Sequence, residues 1–376
     1  MKKTIFQGSD NKVQLNLYCF FYITLLLILI NGTTACGNRK SKVIGVKIYQ
    51  LEENPEELIT KWKMCGINTA FISKELTTND SFRNALKKNN IPFFIIWPVF
   101  QNPAILEADS TLFGITDEGK RAKDDWVEFI CPSRSSYRQM QIDSIQWYIE
   151  NYHPEGLSVD FIRHFVFWEM IYPDNDPDLI NSSCYCDSCL NEFTDQTGLK
   201  IPDSLVTISQ KARFLKQNYI SEWNGYRCEL ITSMVKDIAE SARKIYPSIL
   251  INIHVVPWRT EDFNNAIINI AGQDIEYMEK YADYISPMCY SQMLNRNSIW
   301  INDVIKDMDA KAPGKILPSI QVFPYYIDDP FPPDSLIACL DKSLEYPSRG
   351  VIFWSWPLLR QDTTRLSKVA LYLKSR

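Results

Sequence analysis

PEGLSVDFIRHFVFWE, Pro154 to Glu169, is the stretch from which the rest of the chain is interpreted. Its first half alternates small and apolar residues, which is the pattern of a buried strand. Asp160 stands where this strand ends, and Arg163 and His164 follow it closely. A carboxylate and two candidate cations at a strand end predict a functional site, provided that the other strands end at the same place.

Apolar runs that alternate with helical patterns lie on both sides of this stretch. VIGVKIYQ, NTAFISK and IPFFIIWPVF precede it, and ILINIHVVPW, ADYISPMCY, KILPSIQVF and RGVIFWSWP follow it. Eight strands alternating with helices predict an α/β fold, a (β/α)8 TIM barrel with parallel strands. We expect a single domain over 43–376, with a large insertion at 161–209 after the fourth strand.

The first 36 residues predict a lipoprotein signal peptide. Lys2 and Lys3 precede the apolar run 17–30, and small residues then lead to Cys36, as in a bacterial lipobox. We expect lipidation of Cys36, a tether at 37–42, and an exported protein attached to the membrane through this lipid, at the outer membrane. An uncleaved anchor and an ordinary signal peptide remain alternatives.

Composition argues against one class of partner and favours another. The net charge of −5 is unsuited to nucleic acid, which requires clustered Lys and Arg. The chain has 10 Trp, 19 Tyr and 19 Phe, and such rings either fill a core or stack on the flat faces of sugars. We expect a carbohydrate partner and no cofactor, and 3 His do not predict a multi-His catalytic metal centre. The sequence predicts no oligomeric state.

The C-terminal ends of the predicted strands would line one pocket, together with the long polar segment 101–132 that follows the third strand. A carboxylate, hydrogen-bonding groups and aromatic rings are what a sugar site needs, although rings at strand ends can also simply seal a barrel. The predicted substrate-binding residues are Tyr49, Trp97, Trp126, Arg163, His164, His254, Trp258, Tyr290, Gln292, Gln321, Trp354 and Trp356, and Lys74 and Glu75 stand at the second strand's end.

Four motifs carry a resemblance to known proteins. GLSVDFIR, CPSRSSYR, WNGYRCELIT and GQDIEYMEKYADYISPMCY resemble, in order and spacing, the family 10-like glycosyl-hydrolase-like barrel proteins, which carry a Leu-Asp-Tyr-Ile-Arg type of fourth strand. Met288, Tyr290 and Trp354 are similar to the Met-x-Tyr and Trp of chitinase-type family 18 glycoside hydrolases. These resemblances imply a barrel glycosidase. Ile162 occupies the place of the chitinase general acid, which argues against a substrate-assisted chitinase mechanism.

A mechanism can nevertheless be built on Asp160 as nucleophile or base, kept ionised by Arg163. The second carboxylate must come from a loop, and we favour Glu169 because it is nearest in sequence. A structural salt bridge between Asp160 and Arg163 is the alternative. The other eligible carboxylates are Asp124, Asp125, Glu128, Glu261 and Asp262.

Cys184, Cys186 and Cys189 form a dense C-x-C-x-x-C motif. We expect a structural role for this cluster. Disulfides are favoured by export, and a tetrahedral zinc ion is the alternative, with Cys131 or His164 as fourth ligand. A thioredoxin-like setting for catalytic redox chemistry is absent.

Three hypotheses therefore follow from the sequence. The first is a lipid-anchored glycoside hydrolase that acts on an oligo- or polysaccharide. The second is a carbohydrate-binding barrel lipoprotein without catalysis. The third is a lipoprotein that uses the barrel only as a scaffold, because a fold does not determine a function.

Overall fold

The computed structural model describes residues 42–376. The predicted signal peptide at 1–36, including the lipidation site Cys36, and residues 37–41 of the predicted tether lie outside the described residues. Val43–Arg376 form one compact unit. No helix within 42–376 is both long and apolar enough to span a membrane.

The predicted (β/α)8 barrel is confirmed. Its parallel strands pair in the order β6-β5-β4-β3-β2-β1-β8-β7. Parallel bridges from Ile285 to Ile316 and from Met288 to Ser319 join the two ends of this sheet, so the barrel is nearly closed. The strands are β1 Val43–Ile48, β2 Thr69–Ser73, β3 Phe93–Pro98, β4 Gly156–Asp160, β5 Leu250–Val255, β6 Tyr284–Pro287, β7 Ser319–Gln321 and β8 Gly350–Trp354.

Helices fill the connections between the strands. They are α1 Pro55–Met64, α2 Lys74–Thr77, α3 Asp80–Lys88, α4 Pro103–Ala108, α5 Ser135–Tyr152, α6 Asp187–Thr197, α7 Ile208–Asn218, α8 Ile220–Ile245, α9 Ala266–Asn269, α10 Ile275–Met278, α11 Ile299–Asp309, α12 Pro333–Ser343, α13 Trp356–Gln361 and α14 Thr363–Lys374. Single 3-10 turns occur at Ser110–Leu112, Trp168–Met170, Pro177–Leu179 and Asp262–Asn264. The segment 101–132 also contains a hairpin of Lys123–Asp124 with Val127–Glu128.

Local sequence explains these boundaries. Asn54 caps α1 by accepting hydrogen bonds from the backbone N–H groups of Glu56 and Glu57, and Pro55 occupies the first turn. Thr207 and Gln210 form a capping box that starts α7. The excursion between β4 and α8 therefore runs to residue 219, and α7 belongs to it.

Candidate active site

A cavity of about 370 Å³ opens at the C-terminal ends of the barrel strands. This is the position at which barrel enzymes place their active sites. The cavity combines charged groups at its base with aromatic rings on its walls. It is lined by Lys47, Tyr49, Ser73, Lys74, Glu75, Ile96, Pro98, Gln101, Trp126, Asp160, Phe161, Arg163, Trp168, Glu169, Met288, Tyr290, Met293, Tyr325, Tyr326 and Trp354.

Asp160, the last residue of β4, lies at the base of this cavity and is 7% exposed. Its Oδ2 is 3.5 Å from the Nζ of Lys47, and its Oδ1 accepts a hydrogen bond of 2.8 Å from the Phe161 N–H. Burial raises the pKa of this carboxyl group, but the neighbouring positive charges, Lys47 first and Arg163 among them, together with the Phe161 N–H outweigh burial, and the pKa is lowered overall. Asp160 is therefore ionised at neutral pH.

Lys47 comes from the middle of β1 and is buried. Burial lowers the pKa of its ammonium group, and the neighbouring Asp160 carboxylate partly offsets this effect. The sequence predicts Arg163 as the cationic partner of Asp160. In the described part of the chain, Asp160 forms its ion pair with Lys47 instead.

Glu169 reaches the cavity from the 3-10 turn after β4 and is 7% exposed. Its Oε2 is buried and has no hydrogen-bond partner. Burial raises the pKa of Glu169 to about 7, although the nearby Arg163 opposes the shift, and the negative charge of Asp160 adds to it. Glu169 therefore holds its proton in mildly acidic solution.

Arg163 is held between backbone and rings. Its Nη1 donates hydrogen bonds to the carbonyl oxygens of Val166 at 2.9 Å and His164 at 3.3 Å, and its guanidinium lies 4.6 Å from the Phe129 ring centroid. Burial lowers the pKa of Arg163 to about 10, while Glu169 and Asp160 oppose this shift. Arg163 remains charged at neutral pH. Its backbone contacts fix the guanidinium where it interacts electrostatically with both Glu169 and Asp160.

One wall of the cavity is aromatic. The rings of Tyr290 and Trp354 stack with centroids 4.6 Å apart and an interplanar angle of 18°. Trp168 lies 5.8 Å from Tyr290, and Tyr325 lies 5.6 Å from Trp354. Flat ring faces beside polar groups are suited to the alternating polar and apolar surfaces of a sugar.

Trp126 and Tyr326 meet at the rim of the cavity. The indole Nε1 of Trp126 donates a hydrogen bond to the hydroxyl group of Tyr326. Trp126 belongs to the loop after β3, and Tyr326 to the loop after β7. Trp126 is 44% exposed, so its ring remains accessible from solvent.

A polar layer lies in the barrel interior beneath the cavity. Asn252 donates to the Ser158 Oγ at 3.0 Å, and the same Oγ is hydrogen-bonded to His254 Nε2, 2.9 Å away. Ser286 donates to Asn252 Oδ1 at 2.6 Å. Burial, with a smaller contribution from Lys47, lowers the pKa of His254 to about 3, so its imidazole is neutral.

Five of the predicted substrate-binding residues line the cavity: Tyr49, Trp126, Arg163, Tyr290 and Trp354. The other seven are not among the lining residues. Each of their side chains has a partner elsewhere in the fold. Trp97 donates to Gln141 Oε1, Trp356 donates to Glu53 Oε1, and Trp258 packs on Phe263. His164 Nε2 is hydrogen-bonded to the Arg227 carbonyl, and His254 Nε2 is hydrogen-bonded to Ser158 Oγ. Gln292 donates to the carbonyls of Ile327 and Asp329, and Gln321 accepts from the Met293 N–H.

Of the carboxylates considered as partners for Asp160, Glu169 lies in the cavity lining and the others do not. Glu128 pairs with Lys123, and both Glu261 and Asp262 pair with Arg259. Asp124 and Asp125 lie in the hairpin beside Trp126 and are not among the lining residues.

The lining residues that sequence reasoning missed include Lys47, Trp168, Tyr325 and Tyr326. Lys47 had a usable signal, since a single lysine inside the apolar run VIGVKI must be neutralised by a partner. Tyr325 and Tyr326 lie in the loop just after the seventh strand, where pocket residues are expected. Trp168 had no such signal, because it enters through the irregular backbone after β4.

The cysteine cluster lies outside this cavity. Cys131, Cys184, Cys186 and Cys189 are buried and free, and their Sγ atoms all lie within 4.8 Å of one another. Cys131, and not His164, completes the group of four.

Solved structures of other proteins are similar to this chain in fold. No protein-family model and no curated protein sequence matches the chain. Among solved structures, the glycoside hydrolase domain of PgaB (BpsB) from Bordetella bronchiseptica is similar, with a TM-score of 0.66 and 10% identity over 88% of this chain and 98% of that one.

Two further structures are similar over parts of longer proteins. A β-galactosidase from the psychrophilic Marinomonas ef1 has a TM-score of 0.65 and 10% identity, with 88% of this chain and 59% of that chain covered. An α-L-fucosidase, isoenzyme 2 from Paenibacillus thiaminolyticus, has a TM-score of 0.55 and 11% identity, with 89% and 49% covered. This chain thus spans about three fifths of that galactosidase and about half of that fucosidase. At such identities the similarity shows a shared barrel fold.

Proposed function

We propose that this protein is a glycoside hydrolase that acts on an oligo- or polysaccharide. One observation carries the proposal: two of the carboxyl groups that line the same cavity, Asp160 and Glu169, have surroundings that move their pKa values in opposite directions. Such a pair supplies an ionised group and a protonated group at the same pH, which is the requirement for cleaving a glycosidic bond.

Asp160 acts as the nucleophile or base, and Glu169 as the general acid. Glu169 donates its proton to the oxygen of the leaving group, while Asp160 attacks the anomeric carbon or activates a water molecule. Lys47 keeps Asp160 ionised, and Arg163 holds positive charge near both groups. The stacked rings of Tyr290 and Trp354 support the sugar.

Family resemblance and fold support the same class. The fourth-strand sequence GLSVDFIR is similar to the family 10-like barrel proteins, and Met288, Tyr290 and Trp354 are similar to chitinase-type barrels. The three similar structures are named as a glycoside hydrolase domain, a β-galactosidase and an α-L-fucosidase. The proposal places the acid on Glu169, because the chitinase acid position is Ile162, which is buried.

The test is a screen of aryl glycosides and a glycan panel with the wild-type chain and the Asp160→Asn variant. We expect hydrolysis of at least one substrate by the wild type, and a loss of at least about 10²-fold in kcat for the variant. Asp334→Asn is the matched control, because Asp334 lies on α12 and pairs with Lys368. Unchanged turnover in Asp160→Asn would remove its catalytic role, and glycan binding without cleavage by the wild type would establish the non-catalytic binding protein instead.

We also propose that the chain is an exported lipoprotein held at the outer membrane through Cys36. The support is the sequence of residues 1–36, in which two lysines, an apolar run and small residues precede the cysteine. A glycosidase in this position would meet extracellular or periplasmic glycans.

A further inference from the structure

We propose that Cys131, Cys184, Cys186 and Cys189 bind one zinc ion that fastens together the two loops bearing the candidate active site. This inference does not depend on the proposed glycosidase activity. It concerns a group of side chains that the proposed chemistry leaves without a role.

The spacing of the sulfur atoms fits a tetrahedral ion. Cys131 Sγ lies 3.4 Å from Cys186 Sγ and 3.4 Å from Cys189 Sγ, and all four sulfur atoms lie within 4.8 Å of one another. With Zn–S bonds of about 2.3 Å, the sulfur atoms of a tetrahedral site are about 3.8 Å apart. A disulfide needs about 2.05 Å, and the eight cysteines of the described chain are all free.

The surroundings of the cluster are those of a closed structural site. The four cysteines share a separate core cluster with Tyr185, Leu190, Phe193 and Trp223. The Ile115 N–H points at Cys184 Sγ from 3.3 Å, and Ser133 Oγ lies 3.1 Å from Cys131 Sγ. Such hydrogen bonds orient thiolate ligands. Four protein ligands leave no open position for a substrate or a reacting water molecule, so the role is structural.

The placement of the ligands gives the site its effect on the fold. Cys131 follows the long loop after β3, while Cys184, Cys186 and Cys189 come from the excursion after β4, at the start of α6. These two segments supply Trp126 and Glu169 to the cavity. A zinc ion would therefore join these two segments through four bonds, in addition to the apolar contacts of the surrounding core cluster.

One hydrogen bond links the cysteine cluster to the segment 160–169, which carries Asp160 and Glu169. Ser183, next to Cys184, accepts a hydrogen bond of 3.1 Å from the Phe165 N–H through its Oγ, and one of 2.6 Å from Arg227 Nε through its carbonyl. Phe165 lies between Asp160 and Glu169 in sequence. Ordering of Ser183 by the metal is thus transmitted to the backbone that positions Glu169.

The test is the metal content of the purified full chain, measured by native mass spectrometry and elemental analysis. We expect one zinc per chain in the wild type and in the control Cys228→Ser, whose sulfur lies outside the cluster. Cys131→Ser and Cys189→Ser should lose at least about tenfold in zinc affinity. Replacement by cobalt(II) should give the charge-transfer absorption of a tetrathiolate site in the wild type and the control.

The wild-type measurements keep the proposal testable even if the cysteine variants do not fold. Zinc removal from the wild type by a chelator should lower the Tm by about 10 °C, because metal binding is coupled to folding. A folded, metal-free wild type overturns the proposal, either with two disulfides among these cysteines, recognisable by the loss of four hydrogens in mass, or with four unmodified thiols. Zinc bound equally by the wild type and by Cys131→Ser overturns it as well.

Discussion

Glu169 is the residue whose protonation state governs the proposed chemistry. We expect Glu169→Gln to lower kcat by about 10²–10⁴-fold on natural glycosides, since an amide cannot donate the proton that the leaving oxygen needs. The loss should be much smaller for a dinitrophenyl glycoside, whose leaving group departs without protonation. Steady-state kinetics on both substrates check this expectation.

Glu128→Gln is the matched control for this variant. Glu128 lies in the hairpin and pairs with Lys123, outside the cavity lining. Equal losses in kcat on both leaving groups in Glu169→Gln would point to a positional role for Glu169 and contradict its role as the acid.

The two carboxyl groups also define a pH dependence. Burial raises the pKa of Glu169 to about 7, so its acid form, and the rate with it, should decline tenfold per pH unit above about 7. Lys47 and the Phe161 N–H hold the pKa of Asp160 below its ordinary value despite burial, so the rate should fall on the acid side only below about pH 4. A profile of kcat/KM against pH measures both limits.

Lys47→Met separates these limits. Methionine fills a similar volume without charge, so the pKa of Asp160 should rise and the acid limit should move to higher pH, while the alkaline limit moves little. An acid limit that stays in place would show that Lys47 does not control Asp160.

At the scale of single residues, the sequence predicted some of the side chains that line the candidate site. Asp160 was recognisable because it ends an apolar strand, and Glu169 because it follows closely. The partner of Asp160 could not be chosen from sequence. Arg163 is three residues away but points to backbone carbonyls, whereas Lys47 is far away in sequence and directly adjacent across the barrel.

Among the elements, the seam between β1 and β8 imposes the strictest local requirement. Gly350 has φ +148°, and a Cβ there would lie 1.9 Å from the Val43 carbonyl oxygen. We expect Gly350→Ala to lower the free energy of unfolding by about 4 kcal/mol, because the strands would have to separate. Urea unfolding followed by circular dichroism measures this change.

Gly225→Ala provides a control of opposite sign. Gly225 lies within α8, and a Cβ there would meet nothing within 4 Å. Alanine should raise the free energy of unfolding by about 0.5–1 kcal/mol through helix propensity. Similar destabilisation by both substitutions would refute the explanation based on the β1–β8 seam.

The strands themselves were predictable, since each is a short apolar run bounded by turn residues. Which side chains enter the cavity was harder, because successive residues of a strand face opposite sides. Ile96 and Pro98 face the cavity, so Trp97 between them faces α5 and bonds Gln141. Trp356 lies outside the cavity lining for a related reason: it starts α13, where the strand has already ended.

The whole molecule combines a barrel with a predicted lipid anchor outside the described residues. We expect Cys36→Ala to move the protein from the membrane fraction to the soluble exported fraction and to abolish labelling by palmitate. Cys19→Ala is the control, because Cys19 lies within the apolar run of the signal peptide. Cell fractionation and metabolic labelling measure both effects, and membrane retention of unlabelled Cys36→Ala would favour the uncleaved anchor.

The hydrogen bond between Trp126 and Tyr326 has a consequence for how a polymer can enter. β3 and β7 stand four places apart around the eight-stranded barrel, so their loops face each other across its mouth. The hydrogen bond between Trp126 and Tyr326 joins these two loops over the cavity that both residues line. A glycan lying across the mouth would have to break this contact, whereas a chain end could reach Asp160 beside it. The proposed glycosidase would therefore remove terminal sugars, releasing short products from the first turnover.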